Sequence, residues 1–213
     1  DYQANLNALT VLNAAGAGQV ILLSAICVQK PLLAFQHAKL AFEKAVIESG
    51  MTYSIVRPTA FFKSLSGQVE RVKRGKAFLV FGDGELTACK PISDDDLAEY
   101  LADCIDQEKL HNRILPIGGP GAAITPKRQG EMLFSLIERE PRFKHVPLWL
   151  LDGIIFALTN AGRIFPAAAK KAELARIGRY YATESMLVWD DISGAYDADA
   201  TPSAGSQELE GHY

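Results

Sequence analysis

Few residues in this chain stand where chemistry is done, and they cluster early. Gln19-Val-Ile-Leu-Leu-Ser24 is an apolar run of strand length that ends in a hydroxyl. Thr52-Tyr-Ser-Ile-Val-Arg57 is a second such run, stopped by Pro58. In an open parallel sheet, ligands sit beyond the carboxyl ends of the strands. That rule selects Ser24 at one end and Pro58, Thr59, Ala60, Phe61 and Phe62 at the other. The helix expected between them carries Phe35 and Lys39, and Lys39 in its third turn is expected to reach the strand-end crevice. Each has a plainer reading. Ser24 satisfies a turn, Lys39 is a solvated helix lysine, and Phe61 and Phe62 are core. His37 falls on nearly the opposite side of the helix from Lys39 and reads as surface. Cys27 reads as a small buried hydrophobe.

The elements that would position these residues follow from punctuation and periodicity. Residues 3–14 read as a helix closed by Gly16 to Gly18. The run at 19–24 reads as a strand buried on both faces. Pro31 suits the first turn of a long helix over 31–49, closed by Gly50. With 52–57 this makes a βαβ unit, and the opening helix reads as a crossover from an earlier strand absent from the sequence. Residues 65–74 read as a helix stopped by Gly75. Gly82-Asp-Gly84 between 76–81 and 85–90 reads as a hairpin turn. Ser93 with Asp96 opens a helix over 94–106. Residues 112–117 form a short strand, Thr125-Pro126 opens a helix to about 138, and 147–187 is mostly helical. The tail from Asp190 reads as irregular.

Composition bounds the class. The chain has 213 residues, 48% hydrophobic and 22% charged, enough for a sizeable core. A net charge of −3 argues against a nucleic-acid partner. Three cysteines, far apart and without a CxxC pair, argue against a disulfide framework or zinc site and for a reducing compartment. The longest nearly apolar run, Val146 to Leu158, is too short for the 20 or so residues that span a bilayer. The chain therefore reads as soluble or peripheral to membranes, with Trp149 to Leu158 as core, pocket wall or interfacial contact.

A Ser at one strand end, an aromatic residue four before a helix Lys and a strand ending in Arg57-Pro58 resemble the second half of a short-chain dehydrogenase/reductase. In that superfamily the helix carries Tyr-x-x-x-Lys; here Phe35 takes the Tyr position, so no phenol is present to protonate an alkoxide. Longer blocks narrow the match. Leu23 to Leu33, Ile55 to Lys73, Gly82 to Ser93, Leu115 to Gly121, Ile124 to Met132 and Ala175 to Trp189 are similar to the divinyl chlorophyllide a 8-vinyl reductase family, an atypical, NmrA-like branch.

That resemblance implies an α/β fold: a partial Rossmann-like parallel sheet, the C-terminal half, with an appended, mostly helical substrate-binding region. It implies a division into 1–145 (cofactor domain with a hairpin insertion), 146–189 (helical substrate pocket) and 190–213 (tail). It further implies NADPH as cofactor, a Mg-tetrapyrrole substrate, reduction of the 8-vinyl group to ethyl, and a chloroplast location. Lys39 would hold the nicotinamide ribose, with Pro58, Thr59, Ala60 and Phe61 near the nicotinamide. Ser24, through water, is one candidate proton source. Phe35, Phe62 and Trp149 would line the substrate pocket. Lys73, Arg74 and Lys76 read as a solvated helix end or a contact for the substrate's propionate. The family's Gly-x-x-Gly-x-x-Gly turn has no counterpart here, so the sequence reads as the C-terminal part of such an enzyme, expected to bind NADPH weakly alone and to associate. A non-catalytic NmrA-like binding or photosystem-assembly protein, and another NAD(P)H-dependent reductase, remain the alternatives.

Overall fold

A computed structural model describes residues 2–213. In chain order the helices and strands are α1 (Tyr2–Ala14), β1 (Gln19–Leu23), α2 (Ala34–Glu48), β2 (Thr52–Pro58), α3 (Phe62–Leu65), α4 (Val69–Lys73) and β3 (Phe78–Phe81). There follow α5 (Asp94–Asp106), β4 (Arg113–Ile117), α6 (Pro126–Leu136), β5 (Phe143–Val146), α7 (Leu148–Gly162), α8 (Pro166–Thr183), β6 (Val188–Asp190), β7 (Ala195–Asp197) and α9 (Leu209–His212). They fall into two compact units. One holds residues 2–62, 90–122 and 186–212; the other holds 63–89, 123–185 and 213.

The first unit is built on a parallel sheet in the order β1-β2-β4. Adjacent residues of β2 explain its layering. Ile55 packs with Leu9, Val46 and Met51 from the α1–α2 side, whereas Val56 packs with Leu97, Cys104 and Leu115 from the α5 side. Both are fully buried. Successive side chains of a strand point to opposite faces, so a central apolar strand with no alternation is a strand covered on both sides. The double burial expected of residues 19–24 is not met in β1 and is found instead in β2. In β1, Gln19 to Leu22 are only half-buried and Leu23 is exposed, because among the described strands β1 has a neighbour on one edge alone.

Two expectations in this unit are corrected. Helix α2 begins at Ala34, three residues after Pro31. Residues 26–29 instead make a 3₁₀ turn. The fully buried Gln36 side chain reaches back to accept from the Leu32 and Leu33 N–H groups at 2.7 and 2.8 Å and donates to the Cys27 carbonyl at 2.7 Å. Leu33 offers no capping oxygen, and Gln36 supplies one from inside the first turn. The tail is also ordered. β6 and β7 pair antiparallel, and Gly118 N–H donates to the Pro202 carbonyl at 2.8 Å. The buried Asp96 carboxylate accepts from the Ser206 and Gln207 N–H groups at 3.2 and 2.9 Å. Gly205 (φ +83°) is needed there: a Cβ would lie 2.0 Å from the Asp96 carboxyl carbon. The helix opening at Ser93, whose Oγ accepts from the Asp96 N–H at 3.0 Å, stands as expected.

In the second unit no hairpin forms at Gly82-Asp83-Gly84. β3 pairs in parallel with β5, residues 78–81 against 143–146. Gly82 and Gly84 do turn the chain with positive φ, but residues 85–90 leave β3. Cys89 instead exchanges backbone bonds with Ile124 at 3.0 and 2.8 Å. Gln68 explains the choice. Its amide accepts from the Leu79 N–H at 2.7 Å and donates to the Leu79 carbonyl at 2.8 Å, doing a strand's work beside β3. That same engagement interrupts the helix expected over 65–74, which is broken by a 3₁₀ turn at Ser66–Gln68. The boundary expected at residue 145 falls inside this unit, within β5, which is held by β3.

Candidate functional site

The carboxyl end of β1, one face of α2 and the start of α1 line a cavity of about 540 Å³, within the usual range for small-molecule and cofactor sites. Phe35 and Lys39 are four residues apart on α2 and so face the same side. They line the cavity with Ser24, Leu22, Phe42 and Tyr2. Three of the residues singled out from sequence, Ser24, Phe35 and Lys39, are thus brought together.

Continuing the spacing by another four residues reaches Glu43, which sequence reasoning missed. Its side chain is almost wholly buried. It accepts from the Ser24 hydroxyl and takes a two-point grip from Arg57, Nε to Oε1 at 3.1 Å and Nη2 to Oε2. A buried carboxylate needs such partners, since an unpaired charge away from water is costly. The arrangement also fixes Ser24. A hydroxyl has one proton, and here it is given to Glu43, so what Ser24 presents elsewhere is its lone pairs. The sequence did hold a clue: Arg57 in an apolar strand requires a buried acid, and Glu43 extends the Phe35–Lys39 stripe.

The segment after β2 is occupied otherwise. Thr59 N–H donates to the Ile117 carbonyl at 2.9 Å, and its hydroxyl to the Lys90 carbonyl. The Ala60 carbonyl accepts from Ile92 N–H at 2.9 Å, and Phe62 N–H donates to the Ile92 carbonyl at 3.2 Å. Phe61 packs on the core around Ile92, and Phe62 is buried with its ring 5.4 Å from that of His212. Close passage of the backbone explains Gly118-Gly119, since a Cβ on Gly119 would lie 1.9 Å from the Pro91 carbonyl oxygen. Pro58, Thr59, Ala60, Phe61 and Phe62 are not walls of the Ser24–Lys39 cavity. Trp149 is on α7 of the other unit and 71% exposed.

The remaining candidates do not line this cavity. His37 is exposed and Cys27 buried. Burial pushes the Cys89 thiol up to about 12 and raises that of Cys104, so neither is a thiolate near neutrality. Lys73 and Arg74 lie 3.9 and 4.0 Å from Glu70, exposed pairs of little energetic weight. Among the described residues no group of His, Cys, Asp and Glu has the spacing of a metal site.

A strand end, a helix lysine and a cavity between them are common to many nucleotide-binding sheets, and comparison with known sequences narrows them. The NAD(P)H-binding family model matches residues 1–108, which take in β1, α2, β2 and the whole cavity lining. The chain belongs to the NAD(P)H-binding family. Within it, the chain is 56% identical to the divinyl chlorophyllide a 8-vinyl-reductase, chloroplastic, of Oryza sativa subsp. indica, over 99% of this chain and 53% of that protein. It is 54% identical to the protein of the same name from Arabidopsis thaliana, over 99% of this chain and 52% of the other. The resemblance read from the sequence blocks is borne out by these relatives. The chain spans about half the length of the curated relatives it matches. Among solved structures, the NADPH complex of an NADPH-dependent quinone oxidoreductase from Escherichia coli aligns over 98% of this chain and 69% of its own, with TM-score 0.65 and 15% identity. That likeness establishes the Rossmann-like α/β fold expected from the βαβ pattern.

Proposed function

We propose that this chain is part of an NADPH-dependent reductase that converts the 8-vinyl group of a divinyl chlorophyllide or protochlorophyllide to ethyl, inside the chloroplast. The observation that carries the proposal is the 53–56% identity to plant 8-vinyl-reductases across 99% of the chain. Peripheral contact with a membrane belongs to the same proposal.

The residues present fit the nicotinamide-ribose half of the cofactor. The cavity is of suitable size, and Lys39 lines it at the strand end where a ribose is expected. When bound, NADPH supplies a hydride. Lys39 offers an ammonium to the ribose hydroxyls. Phe35 offers a flat apolar wall and no proton, which suits saturation of a carbon–carbon double bond and disfavours carbonyl reduction. Ser24, its own proton committed to Glu43, serves as an acceptor that orients a donor on the ligand. The proton that completes the ethyl group then comes from water and not directly from Ser24. Pro58, Thr59, Ala60 and Phe61 act in this proposal through the shape of the strand end, and Phe62 by supporting it from within the core.

The test is turnover by a protein of the relatives' full length that carries these residues. Divinyl chlorophyllide and NADPH are supplied, and pigment is followed by chromatography and mass. Gain of two hydrogens at the 8-vinyl group, in step with NADPH loss, is expected. NADPH binding without change in the pigment would overturn the reductase reading and favour a binding protein.

A further inference from the structure

Helix α7 has no buried residue, although fifteen residues long and nearly all apolar. It shares a long contact with α8, and that contact takes only one side: Leu148, Leu151, Ile155, Leu158 and Thr159 are half-buried. The opposite side carries Trp149, Leu150, Gly153, Ile154, Phe156 and Ala157, all exposed. At 3.6 residues per turn these fall within one arc of about 160°. Trp149 and Phe156 are 71% and 73% exposed, and the turn into α8 adds Ile164 and Phe165 at 75% and 63%. An apolar face of this kind, concentrated on one hairpin and rich in aromatics, marks a contact surface.

Charge identifies what it meets. The chain as a whole carries −3, yet residues 143–183 hold six Lys and Arg against two acids. Both acids are matched locally: Asp152 pairs with Arg179, and Glu173 lies 3.3 Å from Arg176. The excess rests on Lys144, Arg163, Lys170 and Lys171, all exposed; Arg163 adjoins Ile164 and Phe165, and the two lysines follow within the first turns of α8. Aromatic and aliphatic side chains flanked by basic ones are the composition of a helix that lies in a bilayer interface. No described helix is long and apolar enough to cross a membrane.

We propose that the exposed face of the α7–α8 hairpin docks on an anionic lipid surface, with Trp149, Phe156 and Phe165 entering the headgroup boundary and Arg163, Lys170 and Lys171 meeting lipid phosphates. This rests on the peripheral-membrane part of the reading above and not on the reductase activity. A second copy of the chain is a poorer occupant, because it would set one basic excess against another, whereas an anionic surface neutralises it.

The experiment is co-sedimentation of the chain with phosphatidylcholine vesicles, with and without phosphatidylglycerol, in the absence of NADPH and pigment, so its outcome is independent of catalysis. In a Trp189→Phe background Trp149 is the sole tryptophan. Binding to the anionic vesicles, with a blue shift of Trp149 emission and quenching by bilayer-resident bromolipid, is expected. K170E/K171E should weaken binding by more than about 25-fold, from roughly fivefold for each surface-facing charge removed. F156S/F165S should abolish the blue shift while keeping the native circular dichroism, since both side chains already face solvent. Failure to bind anionic vesicles at low salt would overturn the proposal. So would equal binding by F156S/F165S, or a concentration-dependent dimer that F156S/F165S dissolves.

Discussion

Replacing Glu43 by Ala removes the acceptor that Ser24 and Arg57 share. The Glu43 and Arg57 side chains are 3% and 16% exposed, so the guanidinium left behind has little water to turn to. Breaking one side of a buried pair costs about 3–5 kcal/mol, mostly as the burden of the stranded charge. At about 2–4 °C per kcal/mol for a chain of this size, Tm should fall by roughly 6–20 °C. If the stranded charge is the cause, removing it as well should help. The double variant Glu43→Met, Arg57→Met is expected to regain most of the loss, because well-packed apolar replacements of a buried pair are often neutral. Urea unfolding followed by Trp189 emission in a Trp149→Phe background reports on the first unit, which holds Trp189. A Glu43→Ala loss below about 1 kcal/mol, the value of a surface pair, would refute the reasoning. A double variant no better than the single would refute it equally.

Three further outcomes are expected. In a protein of full length, Lys39→Ala should weaken NADPH binding by about tenfold or more, as loss of a charge-assisted hydrogen bond of about 1.5–3 kcal/mol implies; an unchanged Kd by fluorescence titration would remove Lys39 from the cofactor site. Phe35→Tyr should leave kcat on the divinyl pigment the same or lower, and a large gain in single-turnover rate would show that a phenol proton had been lacking. Burial holds the Tyr213 phenol up to about 12, while in the unfolded chain it ionises near its ordinary 10. The unfolded state therefore sheds its proton first, and stability should fall as pH rises from about 10 to 12. Urea midpoints across that window should decline less steeply for Tyr213→Phe than for the parent chain.

Much of the first unit was legible because its rules are local. Strand-length runs punctuated by Gly and Pro gave β1, β2 and β4, and Ser93 with Asp96 gave the start of α5. The strand-end rule, with the Phe35–Lys39 spacing, gave three walls of the cavity. What escaped depended on side chains reaching across the fold. Gln36 delayed the start of α2, Gln68 took the place expected of a hairpin strand, and Asp96 ordered a tail whose composition reads as loop. Glu43 escaped for the same reason: on a helix it looks like one more surface acid until Arg57 is set beside it. In each case a polar side chain, buried in Gln36, Glu43 and Asp96 and half-buried in Gln68, overrode a neighbourhood that pointed elsewhere.

The Asp96 clasp carries a consequence for how the chain is made. Its donors, Ser206 and Gln207, follow it by 110 and 111 residues, and the whole of the second unit's 123–185 segment lies between. At translation rates of 5–20 residues per second, on the order of 10 s pass between the emergence of this carboxylate and that of its partners. Through that interval the sheet edge at Gly118, which Pro202 and Ala204 later join, stays open while the chain of a second hydrophobic unit is being extruded. Long-range closure of this kind slows folding and lengthens exposure to wrong pairing. A nascent chain of this design is a natural client for a holding chaperone until residues 202–207 have emerged.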